Sequence, residues 1–160
     1  LNGFNNGLLQ TFGAHAPTMQ PMDERNTHAP RLLLIDDNRD YAETMSMLLG
    51  GCGWDVEIAH DGTHGLSLAR QRHPHCMLVD LAMPGLNGYQ LLAAVRADAA
   101  LRGTYVAAVS GWGGNDEACR SLAAGFDAHF LKPCDHRHLL AVLDQAMSSS
   151  MPANCARRGA

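Results

Sequence analysis

Four short, mainly apolar runs punctuate the chain, and each is closed by a polar residue. LLLI at 32–35 precedes Asp36, CMLV at 76–79 precedes Asp80, YVAAV at 105–109 precedes Ser110, and AHFL at 128–131 precedes Lys132. Such a run is too short for a membrane span and suits a strand covered on both faces, as in a parallel sheet. Trp54 to Ala59 alternates in polarity and adds a fifth strand. Helical spacing fills the gaps between the runs. Ala42, Met45, Leu48 and Leu49 recur after the first, with Asp40 as a candidate cap and Gly50-Gly51 as a stop. Leu66 to Arg72 suits a helix closed by Pro74, and Leu91, Leu92 and Val95 mark a third helix after PGLNG. Asn115 or Asp116 can cap a fourth that reaches Ala124 and stops at Gly125. Asp135 caps a fifth carrying Leu139, Leu140, Leu143 and Met147. Five strands alternating with five helices predict an α/β fold with an open, doubly wound parallel sheet.

The 160 residues are enough for one domain with a proper core. A net charge of -4 supplies no basic footprint for nucleic acid, so direct DNA binding is not expected. No apolar run reaches membrane-spanning length and the start has no basic stretch followed by an apolar one, so membrane insertion is not expected and a cytoplasmic location is. Residues 1–30, rich in Gly, Asn, Pro and Thr, read as a flexible leader or linker, with Met19 and Met22 inside it. Residues 31–147 hold the domain, and residues 148–160 read as a flexible tail with no output domain. Five cysteines without a C-x-x-C indicate neither a disulfide framework nor a zinc ribbon, and three of them in apolar surroundings read as core residues. HPHC at 73–76 and HRH at 136–138 read as solvated surface rather than metal sites.

In a doubly wound sheet every strand points its carboxyl end the same way, and ligands bind at that edge. Asp36, Asp37, Asp80, Ser110 and Lys132 all fall there. Taken singly, each has a plain structural account as a cap, a turn residue or a solvated strand end. Together they bring three carboxylates, a hydroxyl and an ammonium to one place. Paired carboxylates call for a cation, and three acids with few neutral partners suit magnesium, which joins carboxylates to phosphate. One carboxylate can act as nucleophile on phosphorus, with the hydroxyl and ammonium receiving the phosphoryl oxygens. The chain has neither G-x-x-x-x-G-K-[ST] nor G-x-G-x-x-G, so the phosphoryl group is expected from a partner or small donor and not from a resident nucleotide.

IDDN at 35–38, LVDLAMPGLNGYQL at 78–91, VSG at 109–111 and FLKP at 130–133 resemble, in order and spacing, the receiver domains of two-component response regulators. The resemblance covers about residues 31–147 and implies a flavodoxin-like fold that takes a phosphoryl group from a phosphohistidine onto an aspartate. It implies Asp80 as phosphoacceptor, Asp37 as a direct magnesium ligand, Asp36 as an assisting one, and the Ala82 carbonyl completing the protein's share of the metal shell. Ser110 and Lys132 would each hold a phosphoryl oxygen, with a cis Lys132-Pro133 bond. The implied partners are a sensor histidine kinase or a histidine phosphotransfer protein, together with a downstream protein or a second copy in a homodimer. DDNRD and GFDAHFLKP are also similar to receivers attached to hybrid sensor histidine kinases.

The chain departs from that pattern at three positions. His129 stands where the family's switch residue is usually Tyr or Phe, which puts the usual rotamer coupling to Ser110 in question and raises pH-sensitive activation as a hypothesis. Ala82 and Trp112 occupy positions that tune dephosphorylation in relatives; the Trp112 indole either shields the acyl phosphate or packs on the surface. Two other functions compete. A metal-dependent phosphatase with an aspartyl-phosphate intermediate needs a second Asp two positions after Asp80, where Ala82 stands. A pseudo-receiver, a pure protein-binding module, never accepts phosphate but would not need all five polar positions.

Overall fold

The structure is a computed structural model that describes residues 29–113 and 115–150. The expected leader up to residue 28 and the tail from residue 151 lie outside the described residues. Strands β1 (Arg31–Ile35), β2 (Asp55–Ala59), β3 (Cys76–Asp80), β4 (Tyr105–Ser110) and β5 (Ala128–Leu131) alternate with helices α1 (Arg39–Gly51), α2 (Gly62–Arg72), α3 (Gly88–Ala97), α4 (Asn115–Ala124) and α5 (His136–Ser150). The strands form one parallel sheet in the order β2-β1-β3-β4-β5, the flavodoxin-like doubly wound order. Register runs Ile35 beside Ala59 and Val79, Asp80 beside Val109, and Ser110 beside Leu131, so the carboxyl ends are level.

The alternation of side chains along β1 splits the core into two layers. Leu32 and Leu34 meet Ala42, Met45 and Leu49 of α1 and Leu139 and Leu143 of α5. Leu33 and Ile35 point the other way, toward Ala69 of α2 and Leu91, Leu92 and Val95 of α3. All four residues are at most 1% exposed. Their burial stabilises the fold by roughly 6–12 kcal/mol gross, a figure that chain entropy opposes.

Several element boundaries differ from the sequence expectation for local reasons. Asn38, not Asp40, caps α1, because its side chain accepts the Tyr41 N–H at 3.1 Å. Gly50 and Gly51 stay in the helix, and Gly53, at φ +94°, makes the left-handed turn instead. Helix α2 starts four residues early because Asp61 accepts the His64 N–H at 2.7 Å and caps it. Strand β2 begins at Asp55, while Trp54 is buried beside it. Helix α5 runs to Ser150 and not to Met147: Ser148 and Ser149 donate to the Asp144 and Gln145 carbonyls one turn back, so residues 148–150 are helix and not tail. Asp135 begins that helix as expected, accepting the Arg137 N–H.

Leu48, expected on the core face, is exposed. Among the described cysteines Cys76 alone is buried, Cys134 is half-buried, and Cys52 and Cys119 are exposed. That corrects the expectation of three core cysteines, because helical neighbours of apolar residues need not share their face. His73, His75, His136 and His138 are exposed, in keeping with solvated clusters. His75 Nδ1 accepts the Arg31 N–H at 3.0 Å. Among the described residues no helix is long and apolar enough to cross a membrane.

Candidate functional site

The level strand ends deliver the predicted side chains to one place. Asp36 follows β1, Asp80 ends β3, Ser110 ends β4 and Lys132 follows β5. Asp36, Asp37 and Asp80 each bring a carboxylate oxygen within 4.8 Å of the others. Asp36 and Asp80 are buried and Asp37 is exposed.

Lys132 neutralises part of this cluster. Its ammonium lies 2.6 Å from Asp36 Oδ2 and 3.6 Å from Asp80 Oδ1. The Asp36 side chain is 1% exposed and that of Lys132 18%, so water screens this pair weakly. Asp36 Oδ1 accepts the Asn38 N–H at 2.9 Å, which ties the carboxylate to the start of α1. The paired aspartates of the sequence are thus unequal: one is locked inward onto lysine and the other faces solvent.

Asp80 ends β3, the middle strand of the sheet. Burial pushes its carboxyl above the usual range; Lys132 opposes that shift, while Asp36 adds to it. The Ala82 N–H donates to Asp80 Oδ1 at 3.4 Å, and this amide, rather than the carbonyl, is the contact seen at Ala82. Gly88, at the start of α3, leaves room for the strand end, since a Cβ there would lie 2.6 Å from the Asp80 carbonyl oxygen.

Ser110 is 4% exposed and its hydroxyl donates to the Trp112 carbonyl. Its own carbonyl accepts the Lys132 N–H at 2.8 Å, joining the ends of β4 and β5. Lys132-Pro133 is cis. The Trp112 indole is 87% exposed, so it neither covers the site nor packs against the surface.

His129 is not linked to Ser110. Its Nδ1 lies 2.8 Å from the Ser121 hydroxyl on α4, and that hydroxyl also donates to the Ala118 carbonyl. A hydroxyl has one proton to give, so the imidazole is the donor and carries its proton on Nδ1. Nε2 is buried without a hydrogen-bond partner. Burial lowers the imidazole below its ordinary value, with Glu117 opposing, so His129 is neutral near pH 7.

Two residues at the site escaped the sequence reading. Tyr41, in the first turn of α1, places its ring under the Lys132 ammonium, 4.6 Å from the ring centroid. Its hydroxyl donates to Cys134 Sγ at 3.4 Å. Neither residue belongs to a recognisable motif, and the only available signal was an aromatic one turn after the aspartate pair.

A level sheet edge with a buried aspartate, a second aspartate on lysine and a serine at the next strand end defines a phosphoacceptor signalling class. Residues 32–144 match the response regulator receiver domain family, and the chain belongs to it: it is a receiver domain of the two-component type. The DNA-binding response regulator MtrA of Mycobacterium tuberculosis is 30% identical over 116 residues, covering 72% of this chain and 50% of MtrA. The chain therefore spans about half the length of the MtrA relatives it matches. Protein PilG of Pseudomonas aeruginosa is 29% identical over 131 residues, covering 82% of this chain and 97% of PilG. The receiver domain of Francisella response regulator 1452 shares the fold, with a TM-score of 0.70 at 24% identity over 76% of this chain and 99% of that one.

Proposed function

We propose that Asp80 accepts a phosphoryl group from a phosphohistidine of a sensor kinase or phosphotransfer protein, and that the phosphorylated site signals to a partner protein. The observation that carries this reading is the buried Asp80 carboxylate beside Asp36, with Lys132 ion-paired to Asp36 at 2.6 Å and standing off Asp80 at 3.6 Å. Lysine satisfies the neighbour and leaves an Asp80 oxygen available. That oxygen attacks phosphorus, the P–N bond to the donor imidazole breaks, and the imidazole leaves with the bond's electron pair and takes up a proton. The product is an acyl phosphate on Asp80.

The donor set fits magnesium. Three carboxylate oxygens lie within 4.8 Å of one another against one ammonium, a surplus of two negative charges in hard oxygen ligands. Asp37 and Asp80 would hold the ion, with Asp36 assisting and the Ala82 carbonyl as the further ligand that family resemblance implies. A bound magnesium ion supplies charge neutralisation for the phosphoryl oxygens. Lys132 swings from Asp36 to pair with one phosphoryl oxygen, and the Ser110 hydroxyl leaves the Trp112 carbonyl to donate to another. Movement of Ser110 carries the β4–α4 loop with it, which shifts a pre-existing conformational balance.

Intact mass spectrometry after incubation with a phosphoramidate, with and without magnesium, tests the reading on wild type and Asp80→Asn. A magnesium-dependent gain of one phosphoryl group, absent in Asp80→Asn, supports it. No gain by a folded chain, with a working donor control, overturns it and points to a phosphorylation-independent binding module.

A further inference from the structure

Among the described residues Lys132 is the one cation paired with both buried carboxylates, and a lysine side chain is a flexible stem with a mobile charge. Something must keep that charge at the mouth of the site when it leaves Asp36. The structure offers the face of Tyr41, 4.6 Å from the ammonium. Tyr41 is itself held at both ends, by its backbone and by its phenol. Its backbone N–H donates to Asn38 Oδ1 at 3.1 Å, and the Asn38 N–H donates to Asp36 Oδ1 at 2.9 Å. At the far end, the phenol donates to Cys134 Sγ at 3.4 Å, two residues past the lysine. Asp36, Asn38, Tyr41 and Lys132 thus close a ring of contacts around the ammonium.

We infer that Tyr41 is a positioning residue for Lys132, holding the ammonium by a cation–π contact while it transfers from Asp36 to a phosphoryl oxygen on Asp80. The inference rests on the phosphoacceptor reading above. An aromatic face suits this task better than a further carboxylate. It attracts the cation through its quadrupole without neutralising it, so the full charge is available to the phosphoryl group. The phenol stays protonated, since burial and Cys134 push it up, and the face therefore carries no competing charge. Cys134 fixes the tilt of the ring, and its own thiol is pushed up by burial, so it too stays neutral.

The test measures phosphoryl uptake by the full chain from a phosphoramidate, over a range of donor and magnesium concentrations, for wild type, Tyr41→Leu and Tyr41→Phe. Tyr41→Leu removes the ring face and is expected to lower the maximal rate roughly three- to tenfold, with the half-saturating donor and magnesium concentrations unchanged. Tyr41→Phe keeps the face, loses only the bond to Cys134, and recovers most of the rate. Equal loss in both variants, or no loss in either while wild type is labelled, overturns the inference and leaves Tyr41 as packing. Failure of wild type to be labelled overturns the phosphoacceptor reading instead. A second readout needs no variant. The Lys132 Hε protons of the wild-type chain are expected to show upfield ring-current shifts by NMR, and unshifted resonances overturn the contact.

Discussion

Replacing Lys132 by Met separates the lysine's electrostatic task from its bulk. Met keeps the stem and removes the ammonium, leaving Asp36 and Asp80, both buried, facing each other without a counter-charge. Breaking a buried pair by deleting one partner costs about 3–5 kcal/mol. Lys132 retains 18% side-chain exposure, so we take the lower end, about 3 kcal/mol. With a urea slope of about 2 kcal/mol/M this is a midpoint lower by about 1.5 M at pH 7 in a chelator. The pH dependence has a definite sign. Lys132 is the first influence opposing the upward shift of Asp80, so its loss raises that carboxyl further. An acid whose folded value lies above its unfolded one destabilises the fold as pH rises through that window. The deficit is therefore full at pH 7 and shrinks as pH falls to the unfolded carboxylate range near about 4. Magnesium at about a hundred times its dissociation constant returns up to about 2.7 kcal/mol. Urea titrations at pH 7 and pH 4.5, each with chelator and with magnesium, give the four numbers required. A loss under about 0.5 kcal/mol at pH 7 in chelator, or one that magnesium leaves unchanged, refutes the account of a buried, under-neutralised acid pair.

Asp80→Asn removes a carboxyl that burial already disfavours in its ionised form, so the metal-free variant is expected to be more stable than wild type at pH 7. The gain fades below the ordinary carboxylate range, and differential scanning calorimetry across pH checks it. Gly88→Ala forces a Cβ to within 2.6 Å of the Asp80 carbonyl oxygen and 2.9 Å of Leu81 Cα, backbone that cannot rotate away. A loss of about 2 kcal/mol in urea denaturation, with slower phosphoryl uptake, is expected. Trp112→Ala is expected to leave the acyl-phosphate lifetime within about twofold and stability within about 0.5 kcal/mol, since the exposed indole covers nothing; acid-quenched phosphate release reads the lifetime. Burial lowers the His129 imidazole from its ordinary value, and His129 is bonded to Ser121 and not to Ser110, so phosphorylation-linked fluorescence changes are expected to match at pH 6 and pH 8. For a base with a lowered folded value, stability is lost as pH falls below about 6.5. His129→Phe is expected to flatten that part of the urea-midpoint profile.

The plan of the sheet was legible because period and punctuation are local properties. Apolar runs at 32–35, 76–79 and 105–109 suit strands buried on both faces of a parallel sheet, and they are buried so; the run at 128–131 forms the edge strand, where Phe130 is buried and Leu131 exposed, and a parallel sheet levels all these carboxyl ends. That alone assigns Asp36, Asp80, Ser110 and Lys132 to one edge. Helix ends were less legible, because competing caps such as Asn38 and Asp40 differ only in which side chain reaches a free N–H. Tertiary structure decided everything that depends on direction in space. It turned Asp36 onto Lys132 and left Asp37 in water, a difference invisible in two adjacent identical residues. It tied His129 to Ser121 on α4 and not to Ser110, and it put the Tyr41 ring under an ammonium ninety-one positions away in the chain. Sequence periodicity assigns a residue to a face or an edge. Which neighbour it meets there depends on how separate elements pack, and that is settled only when the chain has folded.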